Sequence, residues 1–309
     1  MKTAKRPVVL RPFRYPRYSF DALRVCTRCS RYTALAGERC PACGRSSLLP
    51  VEAKAASLAS KRRTVRLAAV LVLSAAAVYF AADGSQRFIA LAAGLLLTVL
   101  LSWLQLRARL TEDIRSLDEL FRRDIGLIRE GLEGDRQEAV SVLREDDVLA
   151  YEKLREVSVL LRGDRVSRQR VALLHGFQLR KDMDLEMESL ILRDFEPLLA
   201  EYIGEVAKLK PELIKDRTLR YCQLHEAQIL EMREGPAILT AVAAAAVRMK
   251  RYCLLYSGFI GRYADGLPSD RFLRLLRLVQ ADPREAWNGL DAIVRDIAGN
   301  RGIPEARSH

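Results

Sequence analysis

Between Thr64 and Leu106 the chain holds two apolar runs, Val65–Ala82 with the single charge Arg66 at its start and Phe88–Leu106 with no charge. At 1.5 Å per helical residue each run reaches about 27 Å, the thickness of a bilayer's hydrocarbon core. A charge at mid-membrane costs about 2.5–3.5 kcal/mol on insertion scales, and the central turns of both runs avoid it. Soluble helices seldom go so far without a polar face, so the runs read as a transmembrane hairpin rather than as the buried hairpin of a globular core. The connector Asp83, Gly84, Ser85, Gln86 and Arg87 is polar and turn-forming, just long enough to reverse the chain.

The flanks orient the hairpin. Lys54, Lys61, Arg62, Arg63 and Arg66 lead into it and Arg107, Arg109 and Arg115 come after it, whereas the connector sets Arg87 against Asp83. The positive-inside bias places both termini in the cytosol, in a protein integral to the cytoplasmic (inner) membrane. Tyr79, Phe80 and Phe88 mark one interface and Trp103 the other. The small pairs Ala77 with Ala81 and Ala90 with Gly94 allow close helix approach at matching depth. In the central turns of the two runs Ser74 and Thr98 are the only polar residues, which suits an anchor better than a transport path.

Charge is distributed unevenly. Residues 1–63 carry 15 Lys and Arg against 3 Asp and Glu, a net of +12 that equals the formal charge of the whole chain. Each basic residue held near anionic lipid headgroups is worth about 1 kcal/mol, so membrane-surface attraction accounts for this bias. Residues 1–24 form a basic aromatic arm in which Arg11, Arg14 and Arg17 alternate with Pro12, Phe13, Tyr15, Pro16, Tyr18 and Phe20. With Lys61, Arg62 and Arg63, the arm is expected to meet a membrane surface or, in the competing reading, nucleic acid through stacking and phosphate contact. The first apolar run starts only after this arm, so no amino-terminal signal peptide is expected.

Cys26, Cys29, Cys40 and Cys43 form two C-x2-C pairs ten residues apart, the second reading C-P-A-C-G. Two such pairs joined by a short hairpin put four thiolates around one tetrahedral ion. Residues 25–45 resemble the zinc-ribbon family with its rubredoxin-type knuckles. The resemblance implies a small β-hairpin module that holds structural zinc and serves protein or nucleic-acid contact rather than catalysis. Iron or two disulfides are the alternatives; a reducing compartment disfavours the disulfides, and nothing else in the chain supports electron transfer. Four ligands close the metal shell, so a segment this short is expected to unfold without the ion.

Residues 46–63 are Ser- and Ala-rich and read as a basic linker, a tether reaching roughly 55 Å when extended. In residues 107–134, Leu110, Ile114, Leu117, Phe121, Ile125, Ile128 and Leu132 recur at helical spacing, a stalk helix that could pair with a second copy of the chain or pack on the domain carboxy-terminal to it. Gly134 is expected to close it, with Asp135 and Glu138 as a capping box for the next helix. Residues 135–300 read as a cytosolic all-α domain, a helical bundle or irregular α-solenoid, with a tail over 301–309. First-turn prolines are expected at Pro197, Pro211, Pro236 and Pro283, and Ile238–Val247 reads as the central buried helix. The acidic clusters Glu145, Asp146, Asp147 and Asp182, Asp184, Glu186, Glu188 read as solvated helix faces.

His175 and His225 lack the spacing of metal-binding helices, and Cys222 and Cys253 read as buried small residues. No P-loop, dinucleotide fingerprint, nucleophile elbow or kinase signature occurs. The expected function is therefore non-enzymatic: a membrane-anchored adaptor or scaffold subunit that presents a zinc ribbon and an α-domain to protein partners. The alternatives are a membrane-tethered nucleic-acid-binding regulator and an enzyme whose site is assembled from scattered polar residues of the α-domain.

Overall fold

The computed structural model describes residues 5–282 and 286–303, the side chain of Leu110 excepted; Pro283 and the end of the tail lie outside the described residues. In chain order the elements are β1 (Arg6–Pro7), β2 (Arg24–Cys26), β3 (Tyr32–Thr33), β4 (Leu48–Pro50), α1 (Val51–Phe80), α2 (Gly84–Ser141), α3 (Asp147–Val157) and α4 (Asp164–Gly176). Then come β5 (Phe177–Gln178), α5 (Pro197–Leu209), α6 (Asp216–Leu224), α7 (Glu226–Leu230), α8 (Gly235–Ala246), α9 (Lys250–Leu255), α10 (Ser257–Tyr263), α11 (Ser269–Ala281) and α12 (Leu290–Asn300). The chain divides into two compact units, one built on Tyr15–Glu138 with Val159–Leu161, the other on the first fourteen residues, Ala139–Ser158 and the chain from Arg162 onward.

The first unit is a ribbon joined to a long helical hairpin. Strand β2 lies between β3 and β4 and is antiparallel to both, with Val25 opposite Tyr32 on one side and Cys26 opposite Leu48 on the other. Residues 46–63 form no tether: β4 passes through Pro50 straight into α1, and the alanine-rich stretch after it is helical from its first turn. Alanine is the best helix former, and Val51, Ala55 and Ala59 give this stretch a buried face. Nor does α2 stop at Gly134. It continues to Ser141, because the Asp135 carboxylate is taken by ribbon groups and caps no new helix. With 58 residues, α2 is about 87 Å long.

Val51–Phe80 and Gly84–Arg109 each contain a window long and apolar enough to cross a membrane, with 0% of the first window and 11% of the second buried. Val72, Leu73, Phe88, Ile89 and Leu96 point outward, so the buried-core reading finds no cover for these side chains among the described residues. The ribbon and the far ends of the helices share one small core: Leu23, Val25, Tyr32 and Ala34 against Val51, Ala55, Leu120, Ile128 and Leu132.

The second unit is mostly helical. At its centre α8 packs on α5; Leu239, Val242, Ala243 and Ala246 are fully buried, and Gly204 of α5 lets Ile238 come so close that a Cβ there would overlap it. Pro197 and Pro236 sit in the first turns of α5 and α8, as their spacing predicts, and Pro211 opens a short 3-10 turn. Two features depart from an all-α domain. The basic arm is not free: β1 runs parallel to β5, and Val8 and Leu10 are buried in the unit's core. Between β5 and α5 the chain is irregular, with Met183, Leu185 and Met187 buried in alternation. The cluster Asp182 to Glu188 is thus no solvated helix face, since this segment is not helical and its Glu186 is buried with the core residues' neighbours.

Candidate metal centre and its helical mount

Two matching turns bring the four cysteines together. Ser30 N–H donates to the Cys26 carbonyl at 3.0 Å and Gly44 N–H to the Cys40 carbonyl at 2.8 Å. Cys26 N–H donates to the Arg31 carbonyl at 2.9 Å and Cys40 N–H to the Arg45 carbonyl at 2.8 Å. The residue after each pair is left-handed, Ser30 at φ 59° and Gly44 at φ 70°, so the glycine of C-P-A-C-G adopts at little cost a conformation that strains the serine. All four sulfurs lie within 4.8 Å of one another, and Cys26 to Cys43 and Cys29 to Cys40 are each 3.6 Å apart. A tetrahedral ion with bonds of about 2.3 Å requires sulfurs about 3.8 Å apart, whereas a disulfide requires about 2.05 Å. The cysteines are free and could hold a metal ion such as zinc.

The electrostatics fit a cation. Burial acts to keep the Cys26 thiol protonated, but hydrogen bonds from the Cys29 backbone, the Ser47 hydroxyl and the Arg28 backbone outweigh it and bring the group down to about 6. At Cys29 the Arg31 backbone lowers the pKa, yet burial and the three neighbouring sulfurs carry it up to about 12. Burial, with Cys26 and Cys40, also raises Cys43. One thiolate forms readily and the next are opposed, a cost that a bound divalent cation removes.

The ribbon is fixed to the helices by buried polar contacts. Tyr32 Oη donates to Asp124 at 2.6 Å, and Lys54 Nζ reaches the same hydroxyl at 3.1 Å while lying 5.0 Å from the ring centroid. The fully buried Asp135 accepts from Thr33 Oγ1 and Ala34 N–H, each at 2.8 Å, and from Arg31 at 3.3 Å. Burial pushes the Asp135 carboxyl up, against those three donors. Asp124 is held down at about 2 by the Arg123 hydrogen bond, which with the Tyr32 hydroxyl overcomes burial. Between the two aspartates, Gly131 leaves room for the Tyr32 carbonyl against the helix. Asp124, Ile128, Gly131 and Asp135 recur at helical spacing, and that mixed stripe was the available signal for the mount.

Of the basic residues expected to meet a membrane surface or nucleic acid, Arg11, Arg14, Arg17, Lys61 and Arg62 are exposed and Arg63 is half-buried. Arg62 pairs with Glu119, and Arg63 with Asp113 at 3.2 Å, because α1 is already helical there and runs antiparallel beside α2. Arg62 remains exposed in its pair, Arg63 alone is drawn partly into the hairpin, and Lys61 stays exposed. Arg11 is exposed beside Glu152, and its own carbonyl accepts from Arg155. Arg14 and Arg17 are exposed. Of the expected helix contacts, Gly94 is buried against Ser74 so tightly that a Cβ would stand 2.7 Å from the serine Cβ, and Ala81 and Ala90 are half-buried. Ala77 faces outward, and Ser74, one turn earlier, occupies the contact.

In the second unit His175 bonds Glu201 at 2.7 Å, while His225 bonds Gln228 at 2.8 Å and the Arg193 carbonyl. Burial raises Cys222 to about 12 and Cys253 to about 11, leaving both as unreactive thiols. Unforeseen was a buried charge cluster: Arg170 donates to Glu186 at 2.5 Å, and Arg155, 4.8 Å from the Phe13 ring centroid, lies 3.8 Å from Glu186 and 3.7 Å from Asp184. Phe13 N–H donates to Asp184 and Arg11 N–H to Glu152, so this cluster secures the amino-terminal arm. No family model, curated protein or solved structure matches the chain.

Proposed function

We propose that the chain is a membrane-anchored adaptor: the hairpin spans the bilayer with both termini in the cytosol, and zinc in the four-cysteine site shapes a knuckle that recruits a protein partner. The observation that carries this reading is the mount. Five ribbon residues, Arg31, Tyr32, Thr33, Ala34 and Val25, are built into the face of α2 and the start of α1, so the knuckle is held rigidly beside the hairpin instead of on a tether. Its outer rim, Thr27–Ser30 with Ala36–Arg39, is left exposed. A rigid mount lowers the ordering cost of binding, which suits a contact surface. Nucleic-acid binding has less support, because Lys5, Arg6 and Arg11 already face Glu205, Asp147 and Glu152.

Photo-crosslinkers at Glu38 on the rim and at Ile114 on the stalk, placed in the full chain in membranes, test the reading. A discrete heterologous adduct from position 38 that disappears in Cys29→Ser supports it. An adduct from neither position, with the chain running as a clean monomer after gentle solubilisation, refutes it. Adducts with a second copy from position 114 would instead assign the stalk to self-association.

A further inference from the structure

The seam of the hairpin changes character along its length. Toward the ribbon, α1 and α2 enclose a cavity of about 580 Å³ lined by Ser60, Arg63, Ser102, Gln105, Arg109 and Asp113, with Leu67 and Leu106 beside them. Further along, a second cavity of about 500 Å³ is lined by Leu71, Ala75, Val78, Leu95 and Val99 with little polar surface. Ser60, Thr64, Leu67, Leu71, Ala75 and Val78 recur at three- and four-residue steps, as do Leu91, Leu95, Ser102, Gln105 and Arg109 with one step doubled. Both cavities therefore lie on the same facing stripes of the two helices.

The polar end has unused donors. Gln105 is 8% exposed, and its buried amide nitrogen has no hydrogen-bond partner. A buried donor left unpaired costs about 1–3 kcal/mol, a cost that a ligand acceptor would relieve. Arg109 forms no ion pair among the described residues, whereas the Asp113 carboxylate in the same cavity is answered by Arg63. The open charge is thus positive, at the depth where Trp103 stacks with Arg107 and the apolar run ends.

We infer that this seam binds one anionic phospholipid, its phosphate held by Arg109 and the Gln105 amide and one acyl chain laid along the apolar cavity. The inference rests on the hairpin spanning a membrane. The full chain in detergent, titrated with phosphatidylglycerol or phosphatidylcholine and read by native mass spectrometry, should retain one phosphatidylglycerol in preference by about tenfold or more, as one charge-assisted contact implies. Arg109→Gln should remove most of that preference, Gln105→Leu should weaken retention of both lipids, and Arg107→Gln, at the same depth against Trp103, should leave retention and preference unchanged. Equal retention of the two lipids, equal loss in Arg107→Gln, displacement by millimolar inorganic phosphate, or a lipid-free dimer would each overturn the proposal. Brominated lipid in reconstituted vesicles separates the two failures, with Trp287 buried in the other unit as an internal reference. An unquenched Trp103 sinks the membrane reading and this site with it, whereas quenching without headgroup preference sinks the site alone.

Discussion

Gly131→Ala and Gly126→Ala, five residues apart in α2, should shift stability in opposite directions. In an exposed helix interior, replacing glycine by alanine gains about 0.5–1 kcal/mol from the unfolded chain's lost freedom. Gly126 meets that condition, since a Cβ there would touch nothing within 4 Å. At Gly131 the same Cβ would overlap the Tyr32 carbonyl oxygen and lie 3.0 Å from its carbon. Both are backbone atoms of β3 and have no rotamer to yield. The strand must lift, at an overpacking cost of about 1–3 kcal/mol before any loss at Tyr32–Asp124 is counted. Net of the helix gain, Gly131→Ala should be destabilising by up to about 2.5 kcal/mol, and by more once Tyr32–Asp124 loosens, whereas Gly126→Ala should be stabilising by up to about 1. Thermal unfolding of the metal-loaded full chain in detergent gives the two signs, and hydrogen exchange at the Val25 and Tyr32 amides locates the effect. Equal stabilisation by both substitutions, with unchanged exchange in the ribbon, would refute the docking of β3 on α2.

Ser30→Gly should stabilise the loaded ribbon by up to about 1 kcal/mol in the same melts, because it relieves a left-handed residue that Gly44 shows the turn accepts. Asp124 has a folded pKa of about 2, below its unfolded value, so its contribution of about 2 kcal/mol is complete above about pH 4 and is lost as the pH falls through about 2. The stability difference between wild type and Asp124→Asn should accordingly shrink over that window in acid titrations. Glu186→Gln leaves Arg155 and Arg170 buried with their main counter-charge gone, which should cost about 3–5 kcal/mol in denaturant unfolding and expose residues 5–14 to protease. Removing metal with a chelator should release the knuckle amides of Thr27, Ser30, Cys40 and Gly44 to exchange, while the Ala34 amide on Asp135 and those of α1 and α2 beside the ribbon stay protected.

Features whose physics is local could be read from the residues. The cysteine knuckles need only their own spacing, and the apolar windows of α1 and α2 only their length and lack of charge. What escaped depends on partners far along the chain. Lys61, Arg62 and Arg63 read alike as membrane-surface or nucleic-acid contacts, and no nearby residue shows that Asp113, some fifty residues away, draws Arg63 partly into the hairpin. Asp135 has the form of a helix cap, and nothing local reveals that Thr33 and Ala34 will claim its oxygens. The segment from Met183 to Met187 did carry a local signal. Met183, Leu185 and Met187 alternate with acidic residues, a period-two pattern that fits an extended segment rather than a helix face, and Glu186 is buried because two arginines from α3 and α4 converge on it.

The mount also alters what the metal has to supply. An isolated ribbon of this length has no core of its own, so the metal would have to provide all of its folding free energy, about 10–16 kcal/mol in zinc-finger peptides near neutral pH. Here Leu23, Val25, Tyr32 and Ala34 bury themselves against α1 and α2, whose own backbone hydrogen bonds call for no ion. The inner face of the ribbon is therefore stabilised by packing and by the two aspartates, and the ion is left to order the outer face, the exposed loops Thr27–Ser30 and Ala36–Arg39. On the adaptor reading proposed above, metal loading would govern the shape of the exposed rim without governing attachment to the hairpin. A chain that lost its ion would then stay in place and lose the proposed contact surface, so recruitment and anchoring would respond to separate perturbations.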